Sequence, residues 1–327
     1  MTNSRFQNIL VATDFLPHSE AALKQAIWLA RQSKARITLA HVLPNLRQAM
    51  LSASPAAQQD MFFGEGEKFQ REIREESNAR MQFLITKLSA TDLGIQCETI
   101  LGDPAIAIVH AVQKERYDLV LVGTRGQAAW ERFVMGSTAK RLIRQCPAPV
   151  WAVKAGNDQP PQAIMVATDF SEVSRLAVST GRDIAIRMGA QFHLLHVIDS
   201  QDIPEQLIER MPSASSFREE IRITAARRLE EFVASLAGDV SSIHSHLSWG
   251  IANQEIARTA AHLKIDLLVL GTVGRSGIKG VLLGNTAEKV LDSCDCSILA
   301  VKPEDYICPI EPAFWPLHPD AQINAKD

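Results

Sequence analysis

Gly123-Thr124-Arg125-Gly126 is followed by nine residues and then by Gly136-Ser137-Thr138. An apolar, strand-like run ends at Gly123, and a helical pattern starts after Gly136. This arrangement suits an anion. Glycines let backbone approach a phosphate oxygen with no Cβ in the way. A helix start offers unpaired N–H groups and the positive end of its dipole. Ser137 and Thr138 add hydroxyl donors, and Arg125 and Arg132 add charge. The chemistry this predicts is holding a phosphate rather than transferring it. The sequence has no Gly-x4-Gly-Lys-(Ser/Thr) loop, no Gly-x-Gly-x-x-Gly turn, no His-x-Gly-His motif and no Gly-x-Ser-x-Gly elbow. Without a placed base, a metal site or an activated nucleophile, a bound nucleotide is retained more than turned over.

The same spacing returns 148 residues later. Gly271 and Gly274 are followed by nine residues and then Gly284-Asn285-Thr286, with Arg275 and Lys279 in the intervening loop. Asn285 is expected to cap the helix, presenting an amide where the first copy has a hydroxyl. Ile9-Leu10-Val11-Ala12-Thr13-Asp14-Phe15 also returns, as Ile164-Met165-Val166-Ala167-Thr168-Asp169-Phe170, 155 residues on. A period near 150 is too long for a solenoid repeat and fits a whole domain, duplicated and fused. The plainer reading of the glycines is turns at the strand and helix ends. Recurrence of the loop lengths favours binding for the first set, while for the second the two readings stand even.

Both copies alternate β-branched runs with helical stretches, the pattern of parallel strands and crossover helices. In the first copy the expected strands are Asn8–Ala12, Arg36–Val42, Gln96–Leu101, Leu119–Gly123 and Val150–Lys154. The expected helices are Ser19–Gln32, about Glu67 to Ala90, Ala105–Lys114 and Ser137–Gln145. Ile73, Ser77, Met81, Leu84 and Leu88 form an apolar stripe that recurs as Ile221, Ala225, Leu229, Phe232 and Leu236. The seven extra residues of the first copy therefore fall before Ile73, in a loop read as Pro44 to Glu72. The predicted fold is two tandem, doubly wound, five-stranded parallel sheets in the order 3-2-1-4-5, with ligands at the switch between strands one and four. Residues 1–154 and 163–303 are the two domains, 155–162 the linker, and 304–327 a Pro-rich tail in which Phe314 and Trp315 could dock on the body.

On these motifs the chain resembles a tandem universal stress protein, whose domains bind ATP through Gly-x2-Gly-x9-Gly-(Ser/Thr). The resemblance covers Asn8 to about Pro303. It implies nucleotide contacts, residue by residue, at Ala12, Thr13 and Asp14, at Val42, at Val122, Gly123, Arg125 and Gly126, and at Gly136, Ser137 and Thr138. In the second copy these fall on Thr168, Asp169, Val197, Leu270, Gly271, Gly274, Gly284, Asn285 and Thr286. Two departures stand out. The family commonly has Asp-Gly-Ser after strand one, where this chain has Asp14-Phe15 and Asp169-Phe170, and Asn285 departs from Ser/Thr. The resemblance also implies domain pairing through the last strands, Val150–Val153 against Ile298–Val301, so that one chain is a built-in pseudo-dimer able to dimerise further.

Other chemistry is weaker. Asp118 and Asp266 precede strand four and read as turn or cap residues. His244-Ser245-His246 shares one strand face, but lacks a third metal ligand in sequence. The five cysteines, Cys294-Asp295-Cys296 among them, read as reduced thiols. A net charge of −3 in 327 residues argues against nucleic acid. No apolar run is long enough for a membrane span, and no signal peptide is apparent, so the cytoplasm is expected. The function expected is a stress-response regulator that binds ATP, with any Mg2+ arriving on the nucleotide, and acts through an unidentified protein partner. Two rivals are a slow ATPase or autophosphorylating enzyme, and a scaffold or apolar-ligand binder with vestigial sites.

Overall fold

The computed structural model describes residues 6–43, 65–124, 135–156, 159–202, 214–236, 242–273 and 283–312. The first half contains β1 (Asn8–Thr13), α1 (Pro17–Ser33), β2 (Arg36–Leu43), α2 (Glu65–Lys87), β3 (Gln96–Leu101), α3 (Pro104–Glu115), β4 (Leu119–Gly123), α4 (Ser137–Gln145) and β5 (Val150–Val153). The second repeats this order as β6 (Ala163–Thr168), α5 (Glu172–Met188), β7 (Gln191–Asp199), α6 (Ala214–Ala234), β8 (Ile243–Gly250), α7 (Ala252–His262), β9 (Leu267–Gly271), α8 (Asn285–Ser293) and β10 (Ser297–Val301).

The strands form one sheet in the order β3-β2-β1-β4-β5-β10-β9-β6-β7-β8. Each half thus shows the expected 3-2-1-4-5 order with parallel pairing. The halves meet at β5 and β10, which pair antiparallel with Trp151 opposite Leu299. This junction removes two open sheet edges, each of which would otherwise invite another chain.

Both sheet faces are covered, so the central strands are apolar throughout. Alternate residues of β1 serve opposite layers. Ile9 and Val11 lie in the layer that holds α1, α2, α5 and α6, with Leu29, Met81, Ile184 and Phe232. Leu10 and Ala12 face α3, α4, α7 and α8 through Ile108, Leu142, Ile256 and Val290. Asp118 accepts the N–H groups of Gln7 and Asn8, and Asp266 those of Gln162 and Ala163. These carboxylates tie the starts of β4 and β9 to β1 and β6, far from the ligand end of the strands.

One expectation is corrected. Helix α2 begins at Glu65, so residues 65–72, counted with the loop, are helical. Lys68, Arg71 and Glu72 are exposed, and this solvated turn extends the helix beyond its apolar stripe. Between β2 and α2 lie residues 44–64, and between β7 and α6 lie 200–213, so the extra length of the first half remains in that connection.

Helices α4 and α8 are laced across the junction by Lys140–Asp292 and Arg144–Glu288 ion pairs. Lys140 corresponds to Glu288 and Arg144 to Asp292 at the 148-residue offset. The duplicated helices therefore carry opposite charges at matching positions. Exposed pairs of this kind add little stability each, but like-charged copies would repel, so the pattern favours pairing of unlike halves.

Candidate functional site

The carboxyl ends of β1 and β6 turn in the same unusual way. Phe15 and Phe170 adopt left-handed backbone with φ of 63° and 66°. Glycine takes this conformation freely, whereas a bulky residue is strained there by about 1–3 kcal/mol. The strain is offset by tilted ring contacts. The Phe15 ring lies 4.4 Å from His41 and the Phe170 ring 4.2 Å from His196. Each histidine donates its Nδ1–H to a carbonyl at the preceding strand end, Thr13 at 2.7 Å and Thr168 at 2.8 Å. The Asp-Phe departure from Asp-Gly-Ser is therefore a built aromatic corner.

Asp14 and Asp169 do not cap the following helices. Their Oδ1 atoms accept the N–H groups of Leu16 and Ser171, two residues on. The position before α1 is Leu16, without a side-chain cap, and before α5 it is Ser171, whose hydroxyl accepts from Ser174. Likewise Asn285 is the first residue of α8 and not its cap. Gly284 occupies the cap position, as Gly136 does for α4, and neither helix start has a side-chain cap. A helix start without a side-chain cap leaves its orphan N–H groups for water or a ligand.

The first glycine of each motif has a packing duty that sequence spacing did not reveal. A Cβ at Gly123 would lie 2.8 Å from the His18 carbonyl carbon and 2.9 Å from the Ser19 nitrogen. At Gly271 it would meet the Val173 Cγ1 at 2.9 Å. The β-strand ends thus admit the following helices closely. Gly123→Ala should lower unfolding free energy by about 1–3 kcal/mol, because backbone must shift. Gly271→Ala should cost less, since the Val173 side chain can turn. Urea melts of both variants check the ranking, and equal costs would refute it.

The described residues on either side of each inter-glycine segment are joined by short bonds. Gly136 donates its N–H to the Thr124 carbonyl, and Gly284 to that of Thr272. Ala12, Thr13, Asp14, Val42, Val122, Gly123, Gly136, Ser137 and Thr138 thereby share one end of the first half-sheet. Arg125, Gly126 and Gly274 lie outside the described residues, as do Arg132, Arg275 and Lys279.

In the second half a cavity of about 1270 Å³ opens at the switch between β6 and β9. Thr168, Asp169, Val197, Leu270, Gly271, Gly284, Asn285 and Thr286 all line it. One wall is α6, through Phe217, Ile221, Thr224 and Arg228, which the motif reading missed because α6 lies between motifs. Helical spacing from Phe217 to Arg228 carried that signal.

The sequence profile described as "Universal stress protein family" matches residues 5–154 and again 161–302. The chain belongs to this family. Universal stress protein E homolog of Haemophilus influenzae is 26% identical over 312 residues, covering 91% of this chain and 98% of that one. Universal stress protein E of Escherichia coli is 30% identical over 224 residues, 64% of this chain and 68% of its own. A crystal structure of a universal stress protein from Archaeoglobus fulgidus shares the fold, with a TM-score of 0.59 at 18% identity, covering 90% of this chain and 98% of that one.

Within this universal stress protein frame, two other clusters are accounted for. His193 of β7 supplies the third histidine that the His244-Ser245-His246 spacing lacked. Its Nδ1 lies 3.0 Å from the His246 Nε2, and its ring stacks 5.2 Å from His244. Burial, then the neighbouring imidazoles, hold His193 below the usual histidine range. Among the described residues no group of three or more His, Cys, Asp or Glu is arranged to hold a metal ion. Cys146, Cys294 and Cys296 are buried, and Cys97 and Cys308 are partly so; all five are free thiols. Burial pushes Cys146 and Cys294 up to about 12, which keeps them protonated and unreactive. No helix among the described residues is long and apolar enough to cross a membrane.

Proposed function

We propose that this universal stress protein is a stress-response regulator that binds adenine nucleotide, ATP in the first instance, and retains it with little turnover. The observation that carries the reading is the second-half cavity. Eight residues that the family resemblance singled out line its wall, and the uncapped start of α8 contributes to it. The first half repeats the frame at β1, β4 and α4, and is proposed as a second site. Residues 1–154 and 163–303 would then be two binding units of one cytoplasmic chain, joined through 155–162. Any Mg2+ would arrive with the nucleotide, and the output would pass through a protein partner.

The test is acid extraction of the purified protein, identification of released nucleotide by mass, and calorimetry with ATP. One to two nucleotides per chain are expected, with Gly284→Val removing the second-half share and phosphate release staying near background. No extracted nucleotide together with no ATP binding would sink the reading.

One observation favours a second reading. A cavity of about 1270 Å³ exceeds the usual range of small-ligand pockets, about 300–1,000 Å³. Phe217, Ile221 and Ile256 give it apolar walls. A lipophilic molecule extracted in place of nucleotide would support an apolar-ligand carrier.

A further inference from the structure

Helices α2 and α6 are equivalent, yet they treat one arginine differently. In α2, Arg80 stands 5.7 Å from the Phe15 ring centroid and pairs with Glu76 one turn earlier, at 2.6 Å. In α6, Arg228 occupies the matching position, 4.8 Å from the Phe170 ring centroid. The residue one turn before it is Thr224. Among the described residues Arg228 has no carboxylate within ion-pair distance. Arg228 and Thr224 both line the second-half cavity at its solvent-accessible side.

We infer that Arg228 is an anion-recognition residue of the second-half cavity, released for that role because Thr224 replaces the glutamate that neutralises its first-half counterpart. The inference deepens the nucleotide reading and rests on it for the ligand's other end. The ring of Phe170 holds the guanidinium by a cation–π contact without using its N–H donors. Phe170 itself is held in left-handed backbone against His196 and, at 5.4 Å, Phe232. The guanidinium is thus oriented before a ligand arrives, and its planar fork matches phosphate or carboxylate oxygens. Asp169, Asp199 and Glu220 also line the cavity. Arg228 is the arginine among the described lining residues, on a different element from the α8 start. The ligand class is therefore one with an acidic group on the α6 side, and the first half, with its Arg80–Glu76 pair, should be the less demanding of that group.

The test measures binding of ATP, adenosine and inorganic tripolyphosphate by calorimetry. It uses the full chain and a Gly136→Val version in which the first anion site is blocked. Arg228→Gln and Thr224→Glu are compared with Arg227→Gln, which sits beside the cavity stripe without lining it. Thr224→Glu recreates the first-half ion pair and leaves the arginine in place, and circular dichroism checks that each variant is folded. Both cavity variants should weaken ATP and tripolyphosphate about tenfold or more, with adenosine and Arg227→Gln unchanged. ATP binding that ignores both variants overturns the inference and leaves the nucleotide reading standing. Equal losses for adenosine would mean Arg228 only packs, which also overturns it. Tripolyphosphate binding that needs Arg228, in a chain that ignores ATP, keeps the anion role and removes the nucleotide. No binding of any probe removes both.

Discussion

Trp151→Ala should lower the free energy of unfolding by about 3–5 kcal/mol, the range for truncating a fully buried aromatic. Trp151 is 1% exposed and sits in β5, opposite Leu299 of β10, where the two half-sheets join. Its ring belongs to the layer that includes α1, so the loss opens a cavity at the centre of the ten-stranded sheet. Trp151→Phe should behave differently. The indole Nε1 is buried and finds no hydrogen-bond partner among the described residues. Phenylalanine gives up part of the ring but also removes a buried donor that has lost water without compensation. Its cost should stay below about 1.5 kcal/mol. Urea denaturation followed by circular dichroism distinguishes the two. A single transition with an unchanged slope is expected for both, because the sheet is continuous through the junction. A cost below about 1 kcal/mol for the alanine variant would mean that the halves cohere elsewhere.

That junction was expected from the family resemblance, and the local pattern is consistent with it. Val150–Val153 and Ile298–Val301 are short apolar runs that close each repeat, and a final strand has one side left to cover. The strands and the start of α4 at Ser137 follow from periodicity and from glycine punctuation, whereas the strand order followed from the doubly wound fold class. The site was legible only in part. Spacing located Gly123 and Gly271 but not their duty, since His18 and Val173 reach them through the fold. Spacing also made Asn285 a cap, although Gly284 already fills that position. The His193 contact with His244 and His246 needed the β7–β8 register. The Arg228 contrast needed α2 and α6 superimposed on equivalent aromatic corners. Apart from the Asn285 cap, which is a local matter, the missing information was a contact between elements distant in sequence.

The second large effect concerns pH. Lys302, at the end of β10, is 4% exposed. Its Nζ donates to the Arg144 carbonyl at 3.0 Å and lies 4.3 Å from the Tyr306 ring centroid. Tyr306 donates to the same carbonyl at 2.5 Å, and Cys308 to that of Gln145 at 3.3 Å. Burial pushes the Lys302 ammonium down from 10.5 to about 7, against a smaller upward pull from Cys146 and Cys308. Between these two values the unfolded chain binds the proton and the folded chain does not. Stability should therefore rise with pH through that window, with the burial penalty fully present below pH 7. Cys97, Cys146, Cys294 and Cys296, all pushed up by burial, act in the opposite sense. Their raised values give stability that is present below about 9 and lost as pH rises beyond it. His193 and His246, both shifted down, lose stability only as pH falls below the ordinary histidine value. From pH 7 to 8.5 Lys302 dominates, the buried thiols beginning to offset it toward the upper end, and the parent chain should gain about 1 kcal/mol across it. Lys302→Met should flatten that rise and be at least as stable as the parent at pH 7, since an apolar side chain replaces a buried charge while Tyr306 still serves the Arg144 carbonyl. A parent curve flat over this interval, or a methionine variant that keeps the rise, would refute the assignment. The location gives the titration a reach beyond stability. The carbonyls that Lys302, Tyr306 and Cys308 hold end α4, and α4 begins at Gly136-Ser137-Thr138. The Lys302 proton therefore titrates at one end of the helix whose other end is the first candidate anion site.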